Sequence, residues 1–409
     1  MASPAPFPPS GQFIANVRST ARTVRQAANI KINTSAIDAL LSAVPQATFD
    51  RLKNQHGVSF PLKFTSLQDE VNFLAVLALL NTLSGYREPF HTATGQGAYQ
   101  NVVKLLFGLY ITQPADEGES LLSARGLAGL GAETVEQIWN VSSYQERPHE
   151  SLPGVTVGHR GGDMHDAVQL VVGCCNETGR ILLDAGYGSL GEYVMRVIGE
   201  AEGKIDVEGD VAAADYIVEK IVTLIPGFRD MSTVLDPPQP IYIFKKAFFL
   251  IFAIYQRLLL RRSDGPLTRV PRMPNPAVLP MFVDNVLPTM CLHLGLIDAS
   301  ESTVPTLQAW ARSDAAYKAA QTGVLAGGKS VKEGPRLTAE EAYVVRAAAL
   351  DAGQVAVERA AGALGAREGL EWLRGMTEAD FDGYLWSVAK DDPALRRVPR
   401  MVERDTIMY

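Results

Sequence analysis

Phe244-Lys245-Lys246-Ala247-Phe248-Phe249-Leu250-Ile251-Phe252-Ala253-Ile254-Tyr255 decides the fold class. From Ala247 to Tyr255 the side chains are apolar without a break, so the segment offers neither the polar face of a surface helix nor the alternation of a half-exposed strand. The run is about half of the ~20 residues that a membrane-spanning helix needs. Lys245 and Lys246 precede it, and Arg257, Arg261 and Arg262 follow it. A helix over 245–262, enclosed by other helices, satisfies both ends, and one of the two adjacent lysines is expected to face inward.

Helix signals dominate on either side. Residues 14–28 form an amphipathic pattern, with Val17, Ala21, Val24 and Ala28 on one face and Arg18, Arg22 and Arg25 on the other. A solvated basic face is the expected reading, and an acidic or membrane partner the rarer one. Thr34 or Ser35 caps a helix that runs to Ala43 and closes at Pro45. Residues 67–83 are apolar nearly all round, and Gly85 ends that helix; 97–109 and 132–139 are further helices. Residues 145–162, with Pro148, Pro153, Gly154, Gly158, Gly161 and Gly162, read as a loop insertion. Helices resume at Met164 and continue to Leu224, where Pro226-Gly227 breaks them. Pro237, Pro238 and Pro240 bound a short strand-like stretch from Ile241 to Phe244, so at most a short β-hairpin is expected. A proline-rich stretch, 266–280, leads to Met281 and a helix over 287–296. A second loop is expected over 323–335. Thr338-Ala-Glu-Glu341 starts a helix with a capping box and runs to about Leu364. The last helix holds Phe381, Tyr384, Leu385 and Trp386. The prediction is a mainly α protein with a disordered tail at 1–12 and one large helical domain over 13–409.

The 409 residues are 47% hydrophobic and 20% charged, a globular composition able to bury a sizeable core. A net charge of -7 argues against general nucleic-acid binding but leaves room for one phosphorylated small molecule in a local basic pocket. Cys174, Cys175 and Cys291 have no metal-ligand spacing, and the adjacent pair reads as two small residues in a packed helix. No phosphate loop, H-E-x-x-H pattern or nucleophile elbow is present, Ser84 included, and His91 reads as a structural histidine at a helix end. With no signal-peptide pattern, the chain is expected to be cytoplasmic, with the nucleus as the alternative, and free of membrane.

Three polar anchors stand out against apolar surroundings: Pro226-Gly-Phe-Arg229-Asp230, Phe244-Lys245-Lys246 and Met281-Phe282-Val-Asp284-Asn285. Burying such charges is costly unless they are paired or used. Two carboxylates and an ammonium in one cleft would suit cleavage through a cation-like transition state. Each also has a plainer reading: Asp230 capping a turn, Asp284 capping the helix that begins near Leu287, and the lysines extending their stems out of the core.

In order along the chain, several short motifs resemble the queuosine salvage protein family, the queuosine 5'-phosphate N-glycosylases. They are Val71-Asn72 with Leu80-Asn81, Gly97-Ala-Tyr99, Asn176 to Leu183, Pro226 to Asp230, Phe244 to Ala247, Phe282-Val-Asp284 with Leu287-Pro288, His293 to Leu296, Tyr384-Leu-Trp386 and Tyr409. The resemblance spans residue 15 to the end. It implies a fold similar to the helix-hairpin-helix DNA glycosylases, hydrolysis of the N-glycosidic bond of queuosine 5'-monophosphate with release of queuine for tRNA modification, no metal or organic cofactor, and no stable nucleic-acid complex. By that likeness Asp230 and Asp284 divide the work of stabilising the ribosyl cation and orienting water, and Lys245 holds the phosphate or balances the carboxylates. Asn81, Tyr86, Tyr99, Arg229, Phe282 and Asn285 would contact substrate.

Two positions depart from the family pattern. Asn81 is followed by Thr-Leu-Ser-Gly-Tyr86 in place of Phe-x-Phe-Trp, leaving Tyr86, Phe90 and Tyr99 as the aromatic residues near it. Asp284 is followed by Asn285-Val286 in place of Tyr-Arg. A divergent enzyme for another nucleoside phosphate and a non-catalytic binding or scaffold protein are therefore the alternatives. A DNA glycosylase fits poorly with the acidic net charge.

Overall fold

The computed structural model of the chain describes residues 5–53, 62–112, 120–149, 151–262, 271–321 and 333–409. Among them are fifteen α-helices and four two-stranded sheets, a mainly α architecture. No described helix is long and apolar enough to cross a membrane. Where the sequence is read as one domain over 13–409, the chain divides into two compact units. The first comprises residues 1–62, 198–222 and 229–403, and the second residues 63–197, 223–228 and 404–409.

In the first unit the Lys245–Arg262 helix is enclosed as expected: Ala247 to Ile254 are all buried. Because the enclosure is complete at this end, both lysines go in, Lys245 at 4% exposure and Lys246 at 0%. The Ala339–Arg359 helix is the second buried axis. Its start is the capping box read from the sequence: the Glu341 amide donates to Thr338 Oγ1 and the Thr338 amide donates to the Glu341 carboxylate. Further along, Gly353 lies against Met281; a Cβ at that position would fall 1.8 Å from the Met281 sulfur. Only a glycine lets the segment before Asp284 lie this close to the helix.

The Phe13–Ala27 helix corrects two expectations. Its basic face is paired rather than only solvated: Arg18 pairs with Glu378 at 2.7 Å, and Arg22 and Arg25 pair with the buried Asp351 at 3.1 and 2.6 Å, with Arg22 still partly open to solvent. Its two first amides donate to Asp215 at 3.0 and 2.7 Å, which replaces an N-cap from its own sequence. Nor is the segment before it a disordered tail. Ala5 is buried, the Tyr242 hydroxyl donates to the Pro6 carbonyl at 2.7 Å, and Arg229 lies 5.7 Å from the Phe7 ring. Residues 1–4 of the expected tail lie outside the described residues.

Strands are more numerous than the sequence suggests. The hairpin expected at Ile241 forms from Met231–Val234 and Gln239–Tyr242, with Ser232 opposite Ile241. Lys31–Ile32 pairs with Ile297–Asp298, and Glu333–Arg336 runs parallel to Arg400–Val402. The latter pairing claims the end of the expected 323–335 loop; residues 323–332 lie outside the described residues, as do residues 266–270 of the proline-rich stretch. The helix expected to begin at Leu287 is Val286–His293.

In the second unit, the stretch expected as a loop carries paired strands, Tyr144–Pro148 against Thr156–Arg160; residue 150 lies outside the described residues. The Leu67–Leu79 helix begins on a Ser66 cap and stops short of the expected Gly85. Leu83 takes a left-handed φ of 70°, and the Thr82 hydroxyl donates to the Tyr409 carbonyl at 3.1 Å, so the chain turns before the glycine is reached. The Asp163–Asp184 helix buries Cys174 and Cys175 as small core residues. The Leu190–Leu224 helix gives its residues 198–222 to the first unit and is interrupted there at Gly209, whose φ of 87° is not helical. The 3₁₀ turn Pro226–Phe228 then ends it at the expected break.

Candidate active site

Asp230 sits where the hairpin returns on itself. Its carbonyl accepts from the Ile243 and Phe244 amides at 2.9 and 3.3 Å, and its side chain accepts from the Lys245 amide at 3.4 Å, so it closes the hairpin and caps the buried helix. The carboxylate has no exposure. Arg346, also with none, grips it in two-pronged fashion, Nη1 to Oδ1 at 2.9 Å and Nη2 to Oδ2 at 2.6 Å. The same guanidinium donates twice to the Val283 carbonyl, at 3.1 and 2.9 Å. The Tyr343 phenol has its pKa driven up by burial first and then by the negative charge of Asp230. Both oxygens of this carboxylate are held by the protein's own donors, an arrangement that fixes geometry rather than one that awaits a substrate.

Val283 ties that pair to Asp284. The Asp284 carboxylate accepts from the Val286 amide at 2.6 Å, a turn just ahead of the helix, whose N-cap is Asn285 rather than the expected Asp284. Unlike Asp230 it is only half-buried. Behind it stands Asp382, on the Glu378–Asp391 helix, 3% exposed and accepting from the Phe282 amide at 2.7 Å. Burial, and then the charge of Asp284, push the Asp382 carboxyl up to about 8; the Phe282 amide and Lys245 pull the other way. Lys245 is pushed down to about 8, by burial first and then by Lys246 and Arg346, against the pull of Asp284 and Asp230. Two carboxyls in contrasting surroundings and a poised ammonium thus meet around residues 282–284, the pattern that separates acid from base roles.

The remaining sequence candidates divide. Phe282 is buried 5.5 Å from the Phe252 ring, and Asn285 is buried with Nδ2 donating to the Met401 carbonyl at 3.1 Å. Both hold the Asp284 segment in place. Arg229 is half-buried and donates Nε to the Val222 carbonyl at 2.8 Å. Asn81, Tyr86 and Tyr99 belong to the second unit. Asn81 and Tyr99 are half-buried there, and burial raises the Tyr99 phenol above its ordinary pKa. Tyr86 is 1% exposed, its hydroxyl donating to the Arg404 carbonyl at 3.2 Å, and Phe90 stacks edge-on against Trp139 at 5.0 Å. These two rings are core, not a platform for a base, because the 3₁₀ turn Ser84–Tyr86 swings Tyr86 inward.

Sequence reasoning missed Asp382, Arg346 and Tyr343. Asp382 carried the same signal as the residues it did find, a charge beside an aromatic, between Phe381 and Tyr384. Arg346 and Tyr343 lie inside a helix whose all-round burial is set by distant partners. Among the described residues no group of three or more His, Cys, Asp or Glu is placed to hold a metal ion. A pocket of about 160 Å³ lined by Ile205, Asp210, Tyr255, Arg272 and Asn275, among others, shares no residue with this cluster. No family model matches the sequence, and no curated protein matches it at a significant level.

Proposed function

We propose that the protein hydrolyses the N-glycosidic bond of a nucleoside 5'-phosphate, with queuosine 5'-monophosphate as the substrate that the ordered sequence motifs indicate. The observation that carries this reading is the contrast among three carboxyls. Asp230 is locked by Arg346, Asp382 is enclosed and held near neutrality, and Asp284 reaches the surface. In this scheme the C1'–N bond breaks with its electron pair going to the base. The Asp284 carboxylate stabilises the positive charge that grows on the ribose and takes a proton from the water whose oxygen bonds to C1'; that proton is then passed to the departing base. Asp382 keeps a proton behind Asp284 and so lets Asp284 hold the site's negative charge, since two adjacent carboxylates resist ionising together. Lys245 balances Asp284. Asp230 becomes a positioning residue.

Incubation of the purified protein with queuosine 5'-monophosphate, with free queuine followed by mass-resolved chromatography, tests the reading. Release that falls about 10²–10⁴-fold in Asp284→Asn supports it. A folded protein that releases nothing sinks it. A second reading, a binding protein without turnover, is favoured by the burial of Tyr86 and Phe90, which leaves the expected base platform short of two rings. It predicts saturable binding of the nucleotide with no product.

A further inference from the structure

The Leu190–Leu224 helix breaks at Gly209 beside the cavity of about 160 Å³, all of whose lining residues belong to the first unit. A φ of 87° is one that glycine takes without strain, and the chain turns there, with Ile205 before the break and Asp210 after it both lining the cavity. Leu258, Pro271 and Met273 are buried and supply apolar walls, and the half-buried Tyr255 adds an aromatic one. A void of about 150 Å³ is enough for one benzene ring.

Two charged side chains line the cavity, and only one of them meets an opposite charge. Arg272 donates Nη1 to Asp206 at 2.8 Å, an ion pair that neutralises it. Asp210 is half-buried and accepts one neutral donor, the Asn275 amide on Oδ1 at 3.1 Å. No other group among the described residues bonds this carboxylate, so Oδ2 and the negative charge stay available. Tyr255, on the buried Lys245–Arg262 helix, likewise has a hydroxyl that makes no hydrogen bond among the described residues. A carboxylate beside apolar walls selects against an anion and against an ion that must keep its full hydration shell. An ammonium on a hydrocarbon body suits the same surroundings: its N–H donors match the two open acceptors, and the body matches the walls.

We propose that this cavity binds a small primary amine, its ammonium on Asp210 Oδ2 and the Tyr255 hydroxyl and its hydrocarbon body against Leu258, Pro271 and Met273. The site shares no residue with the Asp284 cluster, and nothing in it depends on the glycosidase reading.

Calorimetric titration of the full chain with benzylammonium tests the site, with benzyl alcohol and benzyltrimethylammonium as controls that share its ring. Benzylammonium is expected to bind, and each control to bind about 10-fold or more weakly, since one lacks the charge and the other the N–H donors. Asp210→Asn, whose amide oxygen can still accept from Asn275, is expected to weaken binding about 10–100-fold, the range of a lost charge-assisted contact. Tyr255→Phe is expected to weaken it several-fold, and Ile205→Trp, which fills the cavity, to abolish it. If Asp210→Asn does not fold, Tyr255→Phe and the two control ligands decide the matter on folded protein. No binding at millimolar benzylammonium, equal binding of either control, or undiminished binding in the folded variants overturns the proposal.

Discussion

Replacing Asp230 by asparagine discriminates a structural charge from a chemical one. The Arg346 guanidinium donates twice to Asp230 and twice to the Val283 carbonyl, and both side chains are sealed from water. Asparagine keeps the shape but removes the charge that neutralises Arg346. A buried ion pair broken from one side costs about 3–5 kcal/mol, because the surviving charge is left uncompensated. At about 2–4 °C per kcal/mol for a domain of this order, the melting midpoint should fall by roughly 6–20 °C. The double replacement Asp230→Leu with Arg346→Met removes both charges and should be less destabilised than the sum of the two single changes. Differential scanning calorimetry reads both effects. An Asp230→Asn protein that melts within about 1 °C of the parent while losing turnover would refute the reasoning, since the carboxylate would then serve chemistry rather than the fold.

Asp284→Asn should behave in the opposite way: the amide oxygen still accepts from the Val286 amide, so melting changes little while queuine release falls about 10²–10⁴-fold, compared by initial rates. Asp382 gives a pH signature. Its folded pKa, raised to about 8 from 3.8, means the folded state holds a proton that the unfolded chain gives up, so its contribution is full below pH 3.8 and is lost as pH rises through about 8. Urea titrations from pH 5 to 8 should show this decline and a flatter profile in Asp382→Asn; equal slopes would place the proton elsewhere. Gly353→Ala should push the Met281 thioether aside, cost about 1–3 kcal/mol by overpacking and lower turnover through the Asp284 segment. Adding Met281→Ala should recover part of the turnover, and no recovery in that double variant would mean that Gly353 acts by another route.

The parts of the fold written in local chemistry were legible. The unbroken apolar run before Tyr255, the Thr338–Glu341 capping box and the break at Pro226-Gly227 each depend on residues close in sequence. What escaped depends on partners far along the chain. The arginines at 18, 22 and 25 look like a wetted face until Asp351 and Glu378 arrive from over three hundred residues away. Residues 145–162 look like a loop because Gly and Pro mask a pairing register that only the partner strand reveals. In the site, the sequence marked Asp230, Lys245 and Asp284 as unusual without separating their duties. Arg346 is what turns Asp230 into a structural group, and nothing local to Asp230 announces it. Asp382 was overlooked because it stood among aromatic residues taken only as core.

The bond between Asp230 and Arg346 joins residues 116 positions apart. A ribosome adding about 5–20 residues per second needs roughly 6–23 s to make that length of chain. During this interval the hairpin begun at Met231 and the helix begun at Lys245 have already emerged with their aspartate unmatched. The neutralising guanidinium comes only with the second buried axis, so this unit cannot seal its interior until synthesis has passed residue 346. A nascent chain halted before that point would expose the greasy Ala247–Tyr255 surface to any chaperone at the exit tunnel.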